Sequence, residues 1–463
     1  MDTSLPSIEF DADLTRRYDI NGPRYTSYPT AVQFHPNFTA EHYRNAVAIS
    51  NAEGGPLSIY IHVPFCTSPC FYCGCSRIIT RDRSKADNYL KHLYREIELQ
   101  SSLFDRAREV KQLHFGGGTP TFLSIEQFQA LMNKLGEHFT LAPDGTHEYS
   151  IEIDPRTLTP DMIPQLAAMG FNRISLGVQD FDRDVQVAVN RVQSVEQTLN
   201  AIATAHESGF KSVNVDLIYG LPKQTPEKFA KTLELIIQAQ PERVALYGYA
   251  HMPHLFKAQR RINEADLPDA AMRLALLQLS VTTLTNAGYV YIGMDHFARG
   301  DDELVQARRD GTLHRNFQGY STRADCDLIA LGVSSISKIG NVYSQNTKSL
   351  IEYYASLEQS SLPIQRGVVL DRDDEIRRTV IQNIMCQGYL DFKRLSIELH
   401  IDFNWYFLHE ILDLQALERD GLIELTDDSL QVTPKGRLLL RHVAMVFDAY
   451  LKHASRQQFS KAV

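Results

Sequence analysis

Leu57-Ser58-Ile59-Tyr60-Ile61-His62-Val63-Pro64-Phe65-Cys66-Thr67-Ser68-Pro69-Cys70-Phe71-Tyr72-Cys73-Gly74-Cys75 joins an apolar run to a cysteine loop. The run has the length and β-branched content of a buried strand. The loop holds four of the six cysteines, three of them spaced C-x3-C-x2-C. Thiolates are the natural ligands of iron–sulfur clusters and of zinc. Closed zinc sites pair short Cys or His units from separate hairpins, whereas all four thiols here fall within ten residues. The spacing therefore favours an iron–sulfur cluster. Three thiolates can hold three irons of a cubane and leave the fourth iron open to another ligand. Cys326 and Cys386 are isolated and read as buried small hydrophobes.

Outward from this loop the chain alternates strand and helix. Strands are expected at 57–63, 110–115, 148–153, 172–178, 212–218 and 243–249, with one more near 289–293. Ser124 and Ser194, each followed three residues later by glutamine, predict capping boxes, and Thr159-Pro160 and Thr225-Pro226 predict helix starts. Strands separated by helices imply right-handed crossovers and a parallel sheet. The polar and glycine-rich positions fall at the C-terminal ends of nearly every strand: the cysteine loop, Gly116-Gly117-Gly118-Thr119-Pro120, Glu152, Gln179, Asp216 and Ala250. A ring of sites at one face points to a barrel, while an open doubly wound sheet would concentrate them at one switch point. The expected fold is α/β: a partial TIM-like (β/α) barrel over residues 39–368, preceded by an N-terminal arm over 1–38. A mainly helical, winged-helix-like domain over 369–463 follows, with helices near 372–386, 392–399 and 403–420, a hairpin turning at Asp427-Asp428 and a last helix over 434–452. The arm, interrupted by Pro6, Pro23, Pro29 and Pro36, is expected to pack on a larger unit.

The chain has 463 residues, enough for two or three folding units, and a formal charge of −9. That balance disfavours nucleic-acid binding, and the acidic 402–422 segment disfavours a DNA-reading role for the C-terminal helices. No apolar run is long enough to span a membrane and the first residues lack a signal peptide, so a cytoplasmic protein is expected. An anionic substrate would gain nothing from the overall field and would need local cations. Three glycines after the second strand let backbone groups approach a ligand closely. The segment lacks the lysine of a phosphate-binding loop, so a charged amino-acid-like guest fits it better. Glu152, flanked by Ile151 and Ile153, would then face that guest's ammonium or hydroxyl groups.

Cys66-x3-Cys70-x2-Cys73, with Tyr72 before the third cysteine, resembles the loop of the radical S-adenosylmethionine (SAM) enzymes. The resemblance narrows with Tyr60-Ile-His-Val-Pro-Phe-Cys66, Cys75, Gly116-Gly-Gly-Thr-Pro120, Gly177-Val-Gln-Asp-Phe181, Asn190-Arg191 and the segment from Asp216 to Pro226. Met294-Asp-His-Phe-Ala298 and His314-Arg-Asn-Phe-Gln-Gly-Tyr320 narrow it further. Together they are similar to the oxygen-independent coproporphyrinogen III dehydrogenase family, from Asn21 to Phe459. The resemblance implies that Cys66, Cys70 and Cys73 hold a [4Fe-4S] cluster and that Tyr60, Gly117 and Glu152 contact the SAM chelating it. It also implies a second SAM molecule at Tyr72, Gly118, Thr119, Gln179, Arg191, Asp216, Ala250 and Ile336. Tyr72 departs from the phenylalanine common there, and Cys75 belongs to the pattern without being a ligand.

The implied reaction converts two propionates of coproporphyrinogen III to vinyls, giving protoporphyrinogen IX in haem biosynthesis. A 5′-deoxyadenosyl radical from SAM starts it. An electron donor such as a flavodoxin or ferredoxin, a monomeric state, and no nucleic-acid or membrane partner are the further expectations. Arg24, His296, Arg315 and Arg323 are candidate cations for the four carboxylates. The alternative is a haem-binding chaperone of the same superfamily, which as the resemblance goes lacks Cys75 and the Met294–Ala298 motif.

Overall fold

The computed structural model describes residues 8–143, 145–323, 326–452 and 459. The first seven residues of the arm and the Arg456–Gln458 end of the motif resemblance lie outside these.

All six leading strands stand where the apolar runs place them: β1 (Leu57–Val63), β2 (Glu109–Gly117), β3 (Glu148–Ile153), β4 (Arg173–Gln179), β5 (Ser212–Tyr219) and β6 (Arg243–Gly248). They pair parallel and in chain order. Nothing within that run reverses direction around a switch point, which is the barrel arrangement. β7 (Tyr289–Gly293) and β8 (His296–Arg299) continue the sheet antiparallel beyond β6. On the other side β9 (Asp327–Leu331) returns parallel beside β1, followed by the antiparallel β10 (Ile336–Ile339), β11 (Val342–Asn346) and β12 (Ile364–Val369). No pairing joins β7 to β12 among the described residues, so the barrel is partial. β9 to β12 are absent from the sequence expectation, because runs of four to six residues are too short for periodicity to separate strand from helix.

Side-chain alternation sets what the barrel encloses. Leu57, Ile59, Ile61 and Val63 of β1, Leu113 and Phe115 of β2, and Val213, Val215 and Leu217 of β5 are fully buried in one apolar cluster. The intervening residues are polar and face inward: Gln112, His114, Ser150, Glu152, Ser175, Asn214 and Asp216 line a cavity inside the sheet. The period-2 pattern thus places the hydrophobic layer outside, under the helices, and leaves a polar lumen.

Helix ends follow their caps with two exceptions. Ser124 and Gln127 form the full capping box, and Thr225 caps the helix beginning at Pro226. At Ser194 only half of the box forms, because the Gln197 amide donates instead to the Pro155 carbonyl at 2.8 Å. The helix expected at Thr159-Pro160 starts later, at Met162 with Asp161 before it.

Beyond the barrel, the helices Arg372–Gln387, Phe392–Leu399 and Leu408–Arg419 surround a three-stranded sheet in which Tyr389–Asp391 joins the expected hairpin. The last helix is broken into Gly436–Leu439, Leu440–Val446 and Ala449–Lys452. The arm occupies the second break: Tyr25 Oη donates to Asp448 Oδ2 at 2.9 Å and Tyr28 Oη accepts from Ala449 N at 3.2 Å. Leu14, Tyr25 and Tyr28 share one buried cluster with Ile376, Leu440 and Phe447, so the arm does pack on a larger unit. Cys326 and Cys386 are buried as expected. No described helix is long and apolar enough to cross a membrane.

Candidate active site

The cysteine loop caps the C-terminal ends of the parallel strands, held there by three clamps. Asn190 donates from Nδ2 to the Pro69 carbonyl at 2.7 Å, and Phe71 N donates to Val189 O at 2.9 Å. Arg77 donates to the carbonyls of Cys70, Cys73 and Cys75 at 3.2, 3.0 and 3.3 Å. Gln259 donates to both the Tyr72 and Ala250 carbonyls, at 2.9 and 3.2 Å, tying the loop to the end of β6. Arg77 and Gln259 were not singled out by the sequence. Arg77 lies two residues beyond the last cysteine, a position where a cation can fold back on the loop.

Cys66, Cys70 and Cys73 line one cavity with Tyr72, Gly117, Gly118, Thr119, Glu152, Gln179, Arg191 and Asp216. Tyr60, Ala250 and Ile336 do not line it. Tyr60 stacks on His114 behind Glu152, with ring centroids 5.7 Å apart, and Ile336 packs in a separate cluster with Phe34 and Tyr343. The Cys66 thiol faces Thr119 Oγ1 at 3.4 Å, and burial pushes its pKa up to about 11. Cys70 Sγ receives Arg191 Nη1 at 3.4 Å and Arg156 Nη2 at 3.5 Å. Cys73 is held down at about 6, chiefly by the hydrogen bond from the Cys75 thiol against the effect of burial, with Arg77 helping. Cys75 N also donates to Cys73 Sγ at 3.4 Å, which makes Cys75 a neighbour that supports the Cys73 thiolate.

The glycine segment earns its composition at two positions. Gly117 adopts φ +114°, and a Cβ there would lie 2.6 Å from the His62 ring. A Cβ on Gly118 would meet the Pro64 and Phe65 backbone at 2.8 Å. Gly117 N donates to Glu152 Oε2 at 3.2 Å, and His114 Nε2 stands 3.3 Å from Glu152 Oε1. Burial would raise the Glu152 carboxyl, but these two contacts and the neighbouring histidines hold it below the usual range. A carboxylate remains ready to accept from an ammonium or hydroxyl. Asp216 behaves oppositely: burial first, then the Glu152 charge, raises it to about 7. Two acids in one cavity therefore differ in protonation near neutrality. A β-bulge turns Gln179, at φ +68°, toward the cavity, where its Oε1 is buried without a partner. Arg191 shares Asp154 with Arg156, at 3.1 and 2.6 Å, and its buried Nε is likewise unpartnered.

The donor set fits a cluster with an amino-acid-like ligand. Three thiols, a close-approach backbone, an ionised carboxylate and orphaned polar atoms meet in one space. Among the described residues no three His, Cys, Asp or Glu side chains converge as the ligands of a single metal ion would.

Known proteins place this arrangement. The Radical SAM superfamily model matches residues 60–236 and the HemN C-terminal domain model matches residues 370–439. A Pseudomonas aeruginosa protein named oxygen-independent coproporphyrinogen III oxidase is 50% identical over 459 residues, covering 99% of this chain and 100% of its own. Its Escherichia coli counterpart is 47% identical over 461 residues, with the same coverage. The solved structure of coproporphyrinogen III oxidase (HemN) from Escherichia coli, described as a radical SAM enzyme, superposes with a TM-score of 0.92 at 46% identity, over 96% of this chain and 100% of that one. Fold and site define a radical SAM protein, a class that binds a [4Fe-4S] cluster and SAM. Within that class the chain belongs to the oxygen-independent coproporphyrinogen III oxidase family, the one its motifs point to.

Proposed function

We propose that the protein carries out the oxygen-independent oxidative decarboxylation of two coproporphyrinogen III propionates to vinyls, giving protoporphyrinogen IX. The observation that carries this reading is the join between the three-cysteine cavity and the polar lumen: Glu152, Ser175 and Asp216 line both. A group bound at the cysteines can therefore act on a polar substrate seated in the barrel. When bound, the cluster and SAM supply the radical that abstracts hydrogen from the substrate.

The chain's own residues position and shield. Cys66, Cys70 and Cys73 are the cluster ligands, with Arg156 and Arg191 offsetting the charge on Cys70. Gly117 and Glu152 receive the amino-acid end and hydroxyls of SAM, with Tyr60 bracing His114 behind them. Gln179, Asp216, Arg191, Gly118, Thr119 and the Tyr72 backbone form the part suited to a second SAM molecule. Ala250 joins them through Gln259; Ile336 would need a ligand reaching past the cavity. Closing the strand ends with the cysteine loop keeps water from the reacting carbon. The electron donor is proposed to be a flavodoxin or ferredoxin, and the protein to act as a cytoplasmic monomer.

Anaerobic reconstitution followed by assay with SAM and coproporphyrinogen III tests the reading. Protoporphyrinogen IX appearing together with 5′-deoxyadenosine is the expected result. Haem binding without turnover would favour the chaperone instead.

A further inference from the structure

A second cavity, of about 450 Å3, lies between β1, β2 and β9 to β11 of the sheet and the segments 311–317 and 378–387. Barrel residues Ser58, Gln112 and Lys338 form one wall; Arg315, on the short His314–Asn316 strand, and Arg378, on the Arg372–Gln387 helix, form the other. Its charge is one-sided. Among the described residues, Arg315, Arg323, Lys338 and Arg378 line it, with a neutral His314, against the single carboxylate of Glu398.

Of the cations suggested by sequence, three are already occupied or neutral. Arg24 pairs with Asp295 at 3.1 Å and Arg323 with Glu148 at 3.2 Å. His296 is driven down to about 4 by burial and then by Arg315. Arg315 is different: 3% exposed, its Nε donates weakly to the Arg24 carbonyl at 3.4 Å and its Nη1 has no partner. Arg378 Nη1 is buried and unpartnered as well. No ion pair to Arg315, Lys338 or Arg378 forms among the described residues, and the Arg378 charge adds to burial in lowering the Lys338 pKa. A buried guanidinium nitrogen without an acceptor costs about 1–3 kcal/mol. Three cations lining one space with no ion pair among the described residues are suited to an anion that comes from outside.

The cavity also borders the barrel lumen. Gln112 lines it and the barrel lumen alike, and the lumen shares Glu152 and Asp216 with the cluster cavity. Gln112 pairs with Glu148, four residues before Glu152 on β3. At about 3.3 Å per residue that separation is ~13 Å, the scale of a tetrapyrrole. One substrate can thus present a propionate near Asp216 while its far side enters the cation cavity.

We propose that Arg315, Lys338 and Arg378 form a carboxylate-holding subsite for the propionates of the substrate that are not at the reacting position. This rests on the reading of the substrate as coproporphyrinogen III. Two guanidinium forks and one ammonium suit several carboxylates on a ring that turns to bring a second propionate to the cluster.

Lys338→Gln and Arg378→Gln in the anaerobically reconstituted holoenzyme test it, with Lys338→Arg as the conservative control. Coproporphyrin III, the aromatic tetracarboxylate, serves as the binding probe by fluorescence titration. Each glutamine variant is expected to keep cluster absorbance and melting temperature, weaken coproporphyrin III binding and raise KM for coproporphyrinogen III about tenfold or more. Their kcat should fall by less than about threefold, and Lys338→Arg should recover most of the affinity. Wild-type turnover with unchanged KM and probe affinity in the folded glutamine variants would overturn the subsite. Loss of probe affinity in the variants, with no wild-type turnover of coproporphyrinogen III, would support the subsite and overturn the substrate reading instead. Should Arg378→Gln fail to fold, Lys338→Gln decides between these results.

Discussion

The cluster cavity and the lateral cavity treat charge in opposite ways. At the strand ends Arg156 and Arg191 converge on Asp154, and Glu152 has His114 and Gly117 N. Beside the lumen, Arg315, Lys338 and Arg378 line one cavity with no ion pair among the described residues. The first is assembled before any ligand arrives, because chemistry there needs fixed geometry. The second is completed only by an anion, so its substrate supplies the missing half. The two also differ in origin. The first is built by consecutive parallel strands, the second largely by segments that follow them in the chain.

The largest effect expected is at the thiols. Cys66→Ala, Cys70→Ala or Cys73→Ala should each abolish both turnover and the iron–sulfur absorbance of the reconstituted protein, while Cys75→Ala should keep the absorbance. Loss of iron in Cys75→Ala to the same extent would make it a fourth ligand. Next comes the contrast in charge pairing. Arg191→Gln leaves Asp154 partly uncompensated inside the cavity and is expected to cost about 3–5 kcal/mol of stability in urea unfolding. Arg378→Gln removes a repelling cation and should change stability by no more than about 0.5 kcal/mol, or increase it. Equal losses at the two positions would erase the distinction between the cavities. A smaller effect is expected from Gly118→Ala, whose Cβ would meet backbone at 2.8 Å. Overpacking there should cost about 1–3 kcal/mol and weaken SAM binding measured by calorimetry. Unchanged SAM affinity would separate Gly118 from the cofactor.

What the sequence disclosed tracks how local the signal is. The cysteine loop, Glu152, Gln179 and Asp216 sit at the ends of long apolar strands, and strand ends are legible from turn chemistry. The same strands carry a further cue. Ser58-Ile59-Tyr60-Ile61-His62 and Val213-Asn214-Val215-Asp216-Leu217 alternate strictly, which already implies one polar and one apolar face. That alternation predicts a polar lumen, as the structure shows. β9 to β12 are not legible because their runs are short, and Lys338 on β10 goes with them; Arg378 lies on the helix expected near 372–386 without any local sign of a site. Neither has an unusual local context. They matter only because the fold brings residues 40 apart in the chain to line one cavity. The half-formed box at Ser194 fails for a related reason: Gln197 finds a tertiary acceptor at Pro155 that the local pattern cannot show.

The finest test of the contrast is electrostatic. Burial first, then the charges of Lys338 and Arg378, lowers His314 to about 4, against about 6.5 in an unfolded chain. Between those values the unfolded state binds more protons than the folded one, so stability must fall as pH drops through that window and be complete above it. At pH 5 the loss from this residue should reach about 1–2 kcal/mol relative to pH 7.5. His314→Gln should remove it, and Lys338→Gln should reduce it by withdrawing one of the two repelling charges. Urea unfolding of the three proteins at both pH values measures this. If the acid loss is the same in all of them, the cations do not act on His314 and the lateral cavity is less positive than its lining implies. If His314→Gln removes the loss and Lys338→Gln recovers part of it, the field that would draw substrate carboxylates has been measured in the absence of any substrate.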